Sequence, residues 1–494
     1  MMRPLRILFV LFITFLVLLL SRYYFFGYLD WDLAFFNQAS WQLVHGEQFV
    51  SLVGINYFGD HSYFIHFLIL PFYYLFPTPV TLIILKLVAF FVAAYFIYKA
   101  ADERLGKGPA LGVMLLYLFL PGNLFALCYE FNPEAFAPPF LVLMFLALHN
   151  KNVRLMLLWA IPLILIKENM LLVAAGFGIR AIFISQRSER ILCIIFTLAC
   201  LAVFGYFTTV LIPSFRGLEH HAFTVRYAWM GNSMQDILLK PFTAPHTFLR
   251  ILFSSLNVAY FMHLFSYLLI PALFSPLAIV TMLPLLLQHM LSGSIPEHLI
   301  FFHYVPAMAP FIVFAFIETL AKLSKHDKLA RYVPVLVLGL LIAALPVLYS
   351  YRTAMLQRWP IMNPYQSAKV WKLINTIPSD TPVLSTFRFL APLSSRKEIY
   401  SFHMLFSDKF HKQDNMQQSE LNTNQAFVLP QRVSYALLDL DDPWYVAAMR
   451  VHKSGEIERI EAFFQDPSWQ VIKSAGNVVL IQRIAPVEKN SYTK

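Results

Sequence analysis

The sequence predicts an α-helical polytopic membrane protein of about eleven spans, followed by a small α/β domain outside the membrane. Three observations carry that expectation. First, 58% of the 494 residues are hydrophobic and only 13% are charged, with a mean hydropathy of +0.60, whereas soluble domains carry roughly a quarter charged residues. Second, Lys and Arg recur in every other loop between apolar runs, as the orientation bias of membrane proteins requires. Third, from Tyr351 onward charged and polar residues return and no further apolar run is long enough to span. The net charge of +10 sits in loops with no basic run interleaved with aromatics, which points to cytoplasmic loops and away from nucleic acid. Cys128, Cys193 and Cys200 all lie in apolar runs and read as small buried hydrophobes, without disulfide or zinc spacing.

Residues 5–20 form a continuous apolar run behind Arg3 and Arg6. The sequence that follows, Ser21-Arg22-Tyr23-Tyr24, does not fit a signal-peptidase site, so an uncleaved first span with a cytoplasmic start is expected. Residues 22–78 then make a first outer loop. It contains 28–61, YLDWDLAFFNQASWQLVHGEQFVSLVGINYFGDH, and the apolar stretch 62–76, which is interrupted by His66 and Pro71 and reads as an interfacial or re-entrant helix. A second span at 79–98 returns the chain to the charged loop 99–107. Further spans are expected at 109–128, 134–149, 155–167, 169–185, 190–211, 249–270, 272–291, 299–320 and 332–350. Lys151 and Arg154, Arg187 and Arg190, and Lys322, Lys325, Lys328 and Arg331 then fall on the same side as Arg3, with the C-terminus outside. The segment 213–250 reads as a long outer loop carrying His220, His221, Arg226, Tyr227, Trp229 and Asp236.

The chain thus divides into a transmembrane domain, 1–350, and an extracytoplasmic domain, 351–494. In the latter, 368–376 and 456–464 are helical patterns. Residues 383–387, 398–402 and 433–440 read as strands, and 469–473 with 477–483 form a hairpin around Ala475-Gly476.

Charged residues between apolar runs are costly in lipid and mark candidate sites. Asp30 and Asp32 stand just after the first span, where a carboxylate has water, a partner or a substrate; Asp32 could equally cap a helix over 34–44. Asp60-His61 would open the interfacial helix, with Asp60 as its cap or His61 as a phosphate contact. In YEFNPEA, Glu130 and Glu134 lie one turn apart if that stretch is helical, and Pro133 places Glu134 in the first turn of the next span. Lys167-Glu168, in LILIKENMLL, needs a cavity or a salt bridge with itself; Lys167 suits a phosphate as a point charge. Arg226 is an alternative phosphate ligand, and His303-Tyr304 would open the tenth span. No spacing of His and Asp is diagnostic of a metal site, although a divalent metal stays open as a cofactor.

Several stretches in order, WDLAFFNQASWQLVHG, FGDHSYFIHFLILPFYYLFPTPVTLIILK, YEFNPEAFAPPFLVLMFLAL, LIKENMLLVAAGFG and FFHYVPAMAPFIVFAF, resemble the DUF2079 family of bacterial and archaeal membrane proteins. IPSDTPVLSTFRFLAPLSSRKEIYSF and YALLDLDDP are similar to that family's tail. The family in turn resembles the GT-C superfamily of polyprenyl-phosphate-sugar-dependent glycosyltransferases. That resemblance implies a GT-C-like membrane domain and a catalytic acid in the first outer loop. Asp32 is its match, with Asp30 as runner-up, and Asp60-His61, Glu134, Lys167-Glu168 and His303-Tyr304 match recurring polar positions. Asn132 stands where a His often precedes the Pro, and KEN, at Lys167–Asn169, where KED is common.

The expectation is an inner (plasma) membrane glycosyltransferase. It would take sugar from a polyprenyl-phosphate donor to an envelope acceptor, with Asp32 as base and Lys167, His61 or Arg226 at the leaving phosphate. Its partners would be membrane lipid and the lipid-phosphate sugar; the oligomeric state is not readable. A transporter or lipid flippase would instead line a path through the midplane with polar groups. A non-catalytic envelope assembly protein would show no converging pocket.

Overall fold

The computed structural model describes residues 2–217, 222–231, 233–357, 361–406, 429–451 and 456–484. The chain divides into two compact units: Met1–Leu20, Phe58–Pro71 and Leu82–Trp359 form the first, and Ser21–Tyr57, Phe72–Thr81 and Pro360–Lys494 the second.

The first unit is helical. Among the described residues, five helices are long and apolar enough to cross a membrane: Pro4–Tyr24, Pro79–Leu105, Arg187–Arg216, Ser255–Leu273 and Asp327–Gln357. A sixth is reached if Lys107–Leu118 and Pro121–Cys128, bent by 53° at Leu120-Pro121, count as one broken span. The expectation of about eleven spans is not confirmed: the runs expected at 134–149, 155–167 and 169–185 fold as the shorter helices Pro133–His149, Val153–Ile164 and Asn169–Ile184, while His66–Leu75 falls in the stretch expected as an interfacial or re-entrant helix. Proline is the physical cause in the run expected at 272–291. It breaks into Leu269–Leu273, Pro276–Thr281 and Leu283–Leu291, with Pro271 inside the first piece and Pro276 and Pro284 at the starts of the next two.

Three further expectations are corrected. The segment 213–250 is not an open loop: it holds Ile212–Arg216, a 3-10 turn Ala222–Tyr227, and helices Met234–Thr243 and Pro245–Leu252. A reciprocal cap between Ser233 and Asp236 starts the third of these and Pro245 starts the last. Their apolar faces stay exposed at Leu238, Leu239, Phe242 and Leu249, the pattern of helices lying at a membrane surface. His303 and Tyr304 do not open a helix either. They stand in a turn, and the helix begins at Ala309 with Pro310 in its first turn. Nor does Asp60 open the interfacial helix, which begins at His66.

The second unit is a five-stranded sheet with helices packed on it. Strands β3 (Val383–Ser385), β4 (Ile399–Ser401) and β5 (Tyr435–Asp439) run parallel; β6 (Trp469–Ala475) and β7 (Val478–Arg483) form an antiparallel hairpin, in the order β4-β3-β5-β7-β6. A two-residue turn joins β6 and β7, with Gly476 at φ +59 and no positive φ at Asn477, the pattern of a type II′ turn with glycine at its first central position. Leu384, Tyr400, Phe402, Ala436, Leu438, Ile460, Phe463 and Ile481 make the core.

The first-loop segment belongs to this same unit. Its helix α2, Asp32–Val44, buries Asn37, Gln38 and Gln42 because each meets the polar edge of the sheet region. Gln38 and Gln42 donate to the Lys397 carbonyl at 3.0 and 2.8 Å, and Asn37 donates to Ser394 Oγ at 2.8 Å. Ser51 Oγ both donates to the Ile399 carbonyl and accepts its N–H. Edge strand β4 would otherwise present bare backbone groups. Phe26 stacks on Trp371 at 5.0 Å, and Trp371 donates to the Tyr24 carbonyl.

Asp32 is the first residue of α2 rather than its cap, which is Trp31. It keeps the acid in the first turn, where the helix dipole favours it. Asp30 accepts the Trp31 N–H at 3.0 Å.

Candidate functional site

The site of the first unit is assembled from helix ends. Lys167 and Glu168 occupy the break between Val153–Ile164 and Asn169–Ile184. They do not pair with each other. Lys167 Nζ donates to Glu134 Oε1 at 2.8 Å, and Glu168 Oε1 meets His61 Nδ1 at 2.6 Å. The second oxygen of Glu168 accepts from the Ser62 N–H and hydroxyl at 3.1 and 3.4 Å.

Glu134 is placed by its own local sequence. Asn132 is extended and its side chain accepts the Glu134 N–H at 3.1 Å, while Pro133 fills the first position of the 3-10 turn Pro133–Phe136. The expected helical turn between Glu130 and Glu134 is absent because this stretch is extended up to Pro133. Lys86 holds that extended strand from a span, donating to the carbonyls of Leu127 and Tyr129 at 2.8 and 2.6 Å. A cation there also suits the end of helix Pro121–Cys128.

A second charged pair adjoins the first. Arg226 donates to Glu297 Oε1 at 2.5 Å, and His289 Nδ1 lies 3.0 Å from Glu297 Oε2. Phe223 connects the two halves: the His61 ring stacks on it at 4.3 Å and 2°, and the Arg226 guanidinium lies over it at 4.3 Å. The His303 and Tyr304 rings lie 4.1 Å apart, tilted by 47°, and Tyr304 also contacts the His289 ring.

A cavity of about 230 Å³ opens among these groups. Of the residues expected from sequence, His61, Lys167, Glu168, Arg226 and Tyr304 line it, together with Asn169, Gln288, His289 and Glu297. Leu172, Phe204, Met230, Ile237, Pro284 and Leu291 make the rest of the wall mostly apolar. Glu134 stands behind Lys167, whereas Glu130, His303 and Asp60 are not among the lining residues. Asp60 has Arg216 as its charged neighbour. Asp30 and Asp32 belong to the second unit. His220 and His221 lie outside the described residues.

Two cations, Lys167 and Arg226, face three carboxylates, Glu134, Glu168 and Glu297, with the His61 and His289 rings beside them. Burial pushes the Glu297 carboxyl up, but the hydrogen bond and charge of His289, then the charges of Arg226 and Lys167, outweigh it and hold the carboxyl down at about 2. Burial likewise works against the Arg226 charge and is outweighed chiefly by Glu297, which raises it. A depressed carboxyl stabilises the fold above its unfolded value of 4.5, and that contribution disappears as pH falls toward about 2. The shift corresponds to about 3 kcal/mol. Wild type should therefore lose thermal stability between these limits, and Glu297→Gln should flatten that limb in a detergent melting series. Parallel acid limbs for the two proteins would contradict the assignment.

Among the described residues, no group of three or more His, Cys, Asp or Glu side chains is arranged to hold a metal ion. The three cysteines are free and buried. Lys86, Asn169, Gln288, His289 and Glu297 escaped the sequence reading. Glu297-His298 between two apolar runs carried the same signal as Lys167-Glu168, whereas an amide in an apolar run carries none.

Apolar helices of spanning length around a buried charge cluster define a polytopic membrane protein. The chain belongs to the family described as predicted membrane protein (DUF2079), whose profile matches residues 22–456. No curated protein matches the sequence. Among solved structures, ArnT from Cupriavidus metallidurans bound to undecaprenyl phosphate is 13% identical, with 97% of this chain and 98% of that chain covered and a TM-score of 0.49. The Archaeoglobus fulgidus oligosaccharyltransferase in complex with zinc and sulfate is 13% identical, with coverages of 88% and 67% and a TM-score of 0.47.

Proposed function

We propose that this protein is a membrane glycosyltransferase that moves a sugar from a polyprenyl phosphate to an envelope lipid, glycan or protein on the outer face of a bacterial inner membrane. The amphipathic cavity is the observation that carries the reading. Its lining combines Lys167, Arg226 and His61, with Glu168 and Glu297, and the apolar Leu172, Phe204, Ile237 and Leu291. A phosphate at the head of a lipid chain has this same division of chemistry. Of the charged residues that line the cavity, Lys167, Glu168, Arg226 and Glu297 stand outside the α-helices, which suits a surface site better than a path through the bilayer.

In the reaction the acceptor oxygen attacks the anomeric carbon, the bond from that carbon to the phosphate oxygen breaks, and the lipid phosphate leaves with the bonding pair. Lys167 and Arg226 stabilise the charge that develops on the phosphate. Its arrival also favours the protonated form of His61. Asp32 takes the acceptor's proton, with Asp30 as the alternative. Undecaprenyl phosphate, the ligand in the C. metallidurans structure, is a lipid of the proposed class.

Mass spectrometry of envelope glycans from a deletion strain tests the reading. A sugar that disappears on deletion and returns with the wild-type gene is the expected result; an unchanged glycan profile would remove the proposed acceptor class.

A further inference from the structure

We propose that Asn169, Gln288 and His289 form a subsite for the hydroxyl groups of an uncharged donor sugar. This inference rests on the lipid-phosphate-sugar reading of the same cavity. The charged atoms there are committed: Lys167 to Glu134, Glu168 to His61 and Ser62, and Arg226 Nη1 and His289 Nδ1 to Glu297. What remains is both amide atoms of Asn169, Gln288 Oε1, His289 Nε2 and Arg226 Nε. Each is shielded from solvent and has no hydrogen-bond partner among the described residues. All four side chains line the one cavity.

The chemistry of this set selects its ligand. A phosphate or carboxylate needs donors only, and an ammonium needs acceptors only. Here the Arg226 Nε–H and the Asn169 NH₂ donate, while Gln288 Oε1 and Asn169 Oδ1 accept. A hydroxyl both donates and accepts, so adjacent hydroxyls on a ring match such a mixed set. A hydrogen bond from a ligand offsets the cost of burying these atoms. Leu172, Phe204 and Pro284 supply an apolar surface for the C–H face of the ring.

Calorimetric titration of the full-length protein in nanodiscs tests the assignment. The probes are farnesyl phosphate, its glucosyl, galactosyl and mannosyl esters, and one amino-hexosyl and one hexuronosyl ester. At least one uncharged ester should bind about tenfold more tightly than farnesyl phosphate itself. Asn169→Leu and Gln288→Leu should each remove that increment while leaving the farnesyl phosphate Kd in place, which also shows that the variants fold. The subsite is overturned if no uncharged ester gains over farnesyl phosphate, if a charged ester binds best, or if the increment survives in both variants. Failure of wild type to bind farnesyl phosphate and every ester overturns the lipid-phosphate reading along with it.

Discussion

Lys167→Met should destabilise the membrane unit by about 3–5 kcal/mol, because it leaves a carboxylate buried without its cation. Glu134 is fully buried and Lys167 nearly so, at side-chain exposures of 0% and 7%, and their contact is 2.8 Å. The second oxygen of Glu134 has no hydrogen-bond partner among the described residues, so the ion pair carries most of the compensation for its burial. Glu134→Gln alone should cost less, since it removes a charge and leaves Lys167 near Glu168, whose charge also acts on it. The double variant Glu134→Gln/Lys167→Met should recover much of what Lys167→Met loses. Melting of the four proteins in one detergent gives the coupling energy directly. A Lys167→Met protein as stable as wild type would mean that the pair does not hold this site together. Sugar transfer by the stable double variant should still be lost, because Lys167 is proposed to meet the phosphate.

Asp32→Asn should lower sugar transfer by about 10²–10⁴-fold while leaving folding and donor binding nearly unchanged. The two effects separate well in size. Asp32 occupies the first turn of α2, and neutralising an acid there costs about 0.3–1 kcal/mol of helix stability. The helix is held mainly by its buried side, Leu33 to Ala39, and by the hydrogen bonds of Asn37, Gln38 and Gln42. Initial rates measured at saturating donor and matched protein check the expectation. Undiminished turnover by Asp32→Asn would take the base role away from this residue, and Asp30→Asn in the same assay would then decide whether its neighbour holds it.

The sheet unit was largely legible in the chain. Strands β3, β4 and β5 lie within the expected segments, because Val383–Ser385, Ile399–Ser401 and Tyr435–Asp439 are short apolar runs bounded by turn residues. The hairpin was expected around Ala475-Gly476, and its turn falls one residue later, at Gly476-Asn477. At the candidate site, the cost of a charge between apolar runs singled out Lys167 and Glu168, Glu134 was read from its place after Pro133, and Arg226 from the long polar segment 213–250; the structure gives each an ionic partner. Which partner was not legible. Lys167 and Glu168 are adjacent in sequence, but they turn to Glu134 and His61, and Arg226 turns to Glu297, across separations that only the fold closes.

Two other features were hidden for different reasons. Asn169, Gln288 and His289 converge by helix packing, and a single amide in an apolar run leaves no trace in periodicity. The long apolar runs were read as spans on hydropathy alone, while Pro271, Pro276 and Pro284 cut one of them into three short helices.

The central claim is that the protein transfers sugar from a lipid phosphate. The most direct test is reconstitution of the purified protein in liposomes with radiolabelled lipid-linked sugars extracted from the native membrane, together with envelope acceptor fractions. The account predicts that label moves from the lipid to an acceptor fraction with wild type, and that Asp32→Asn and Glu134→Gln/Lys167→Met leave it on the lipid. Label that crosses the bilayer still attached to its lipid, with equal rates for wild type and Asp32→Asn, would contradict the account and show a flippase instead.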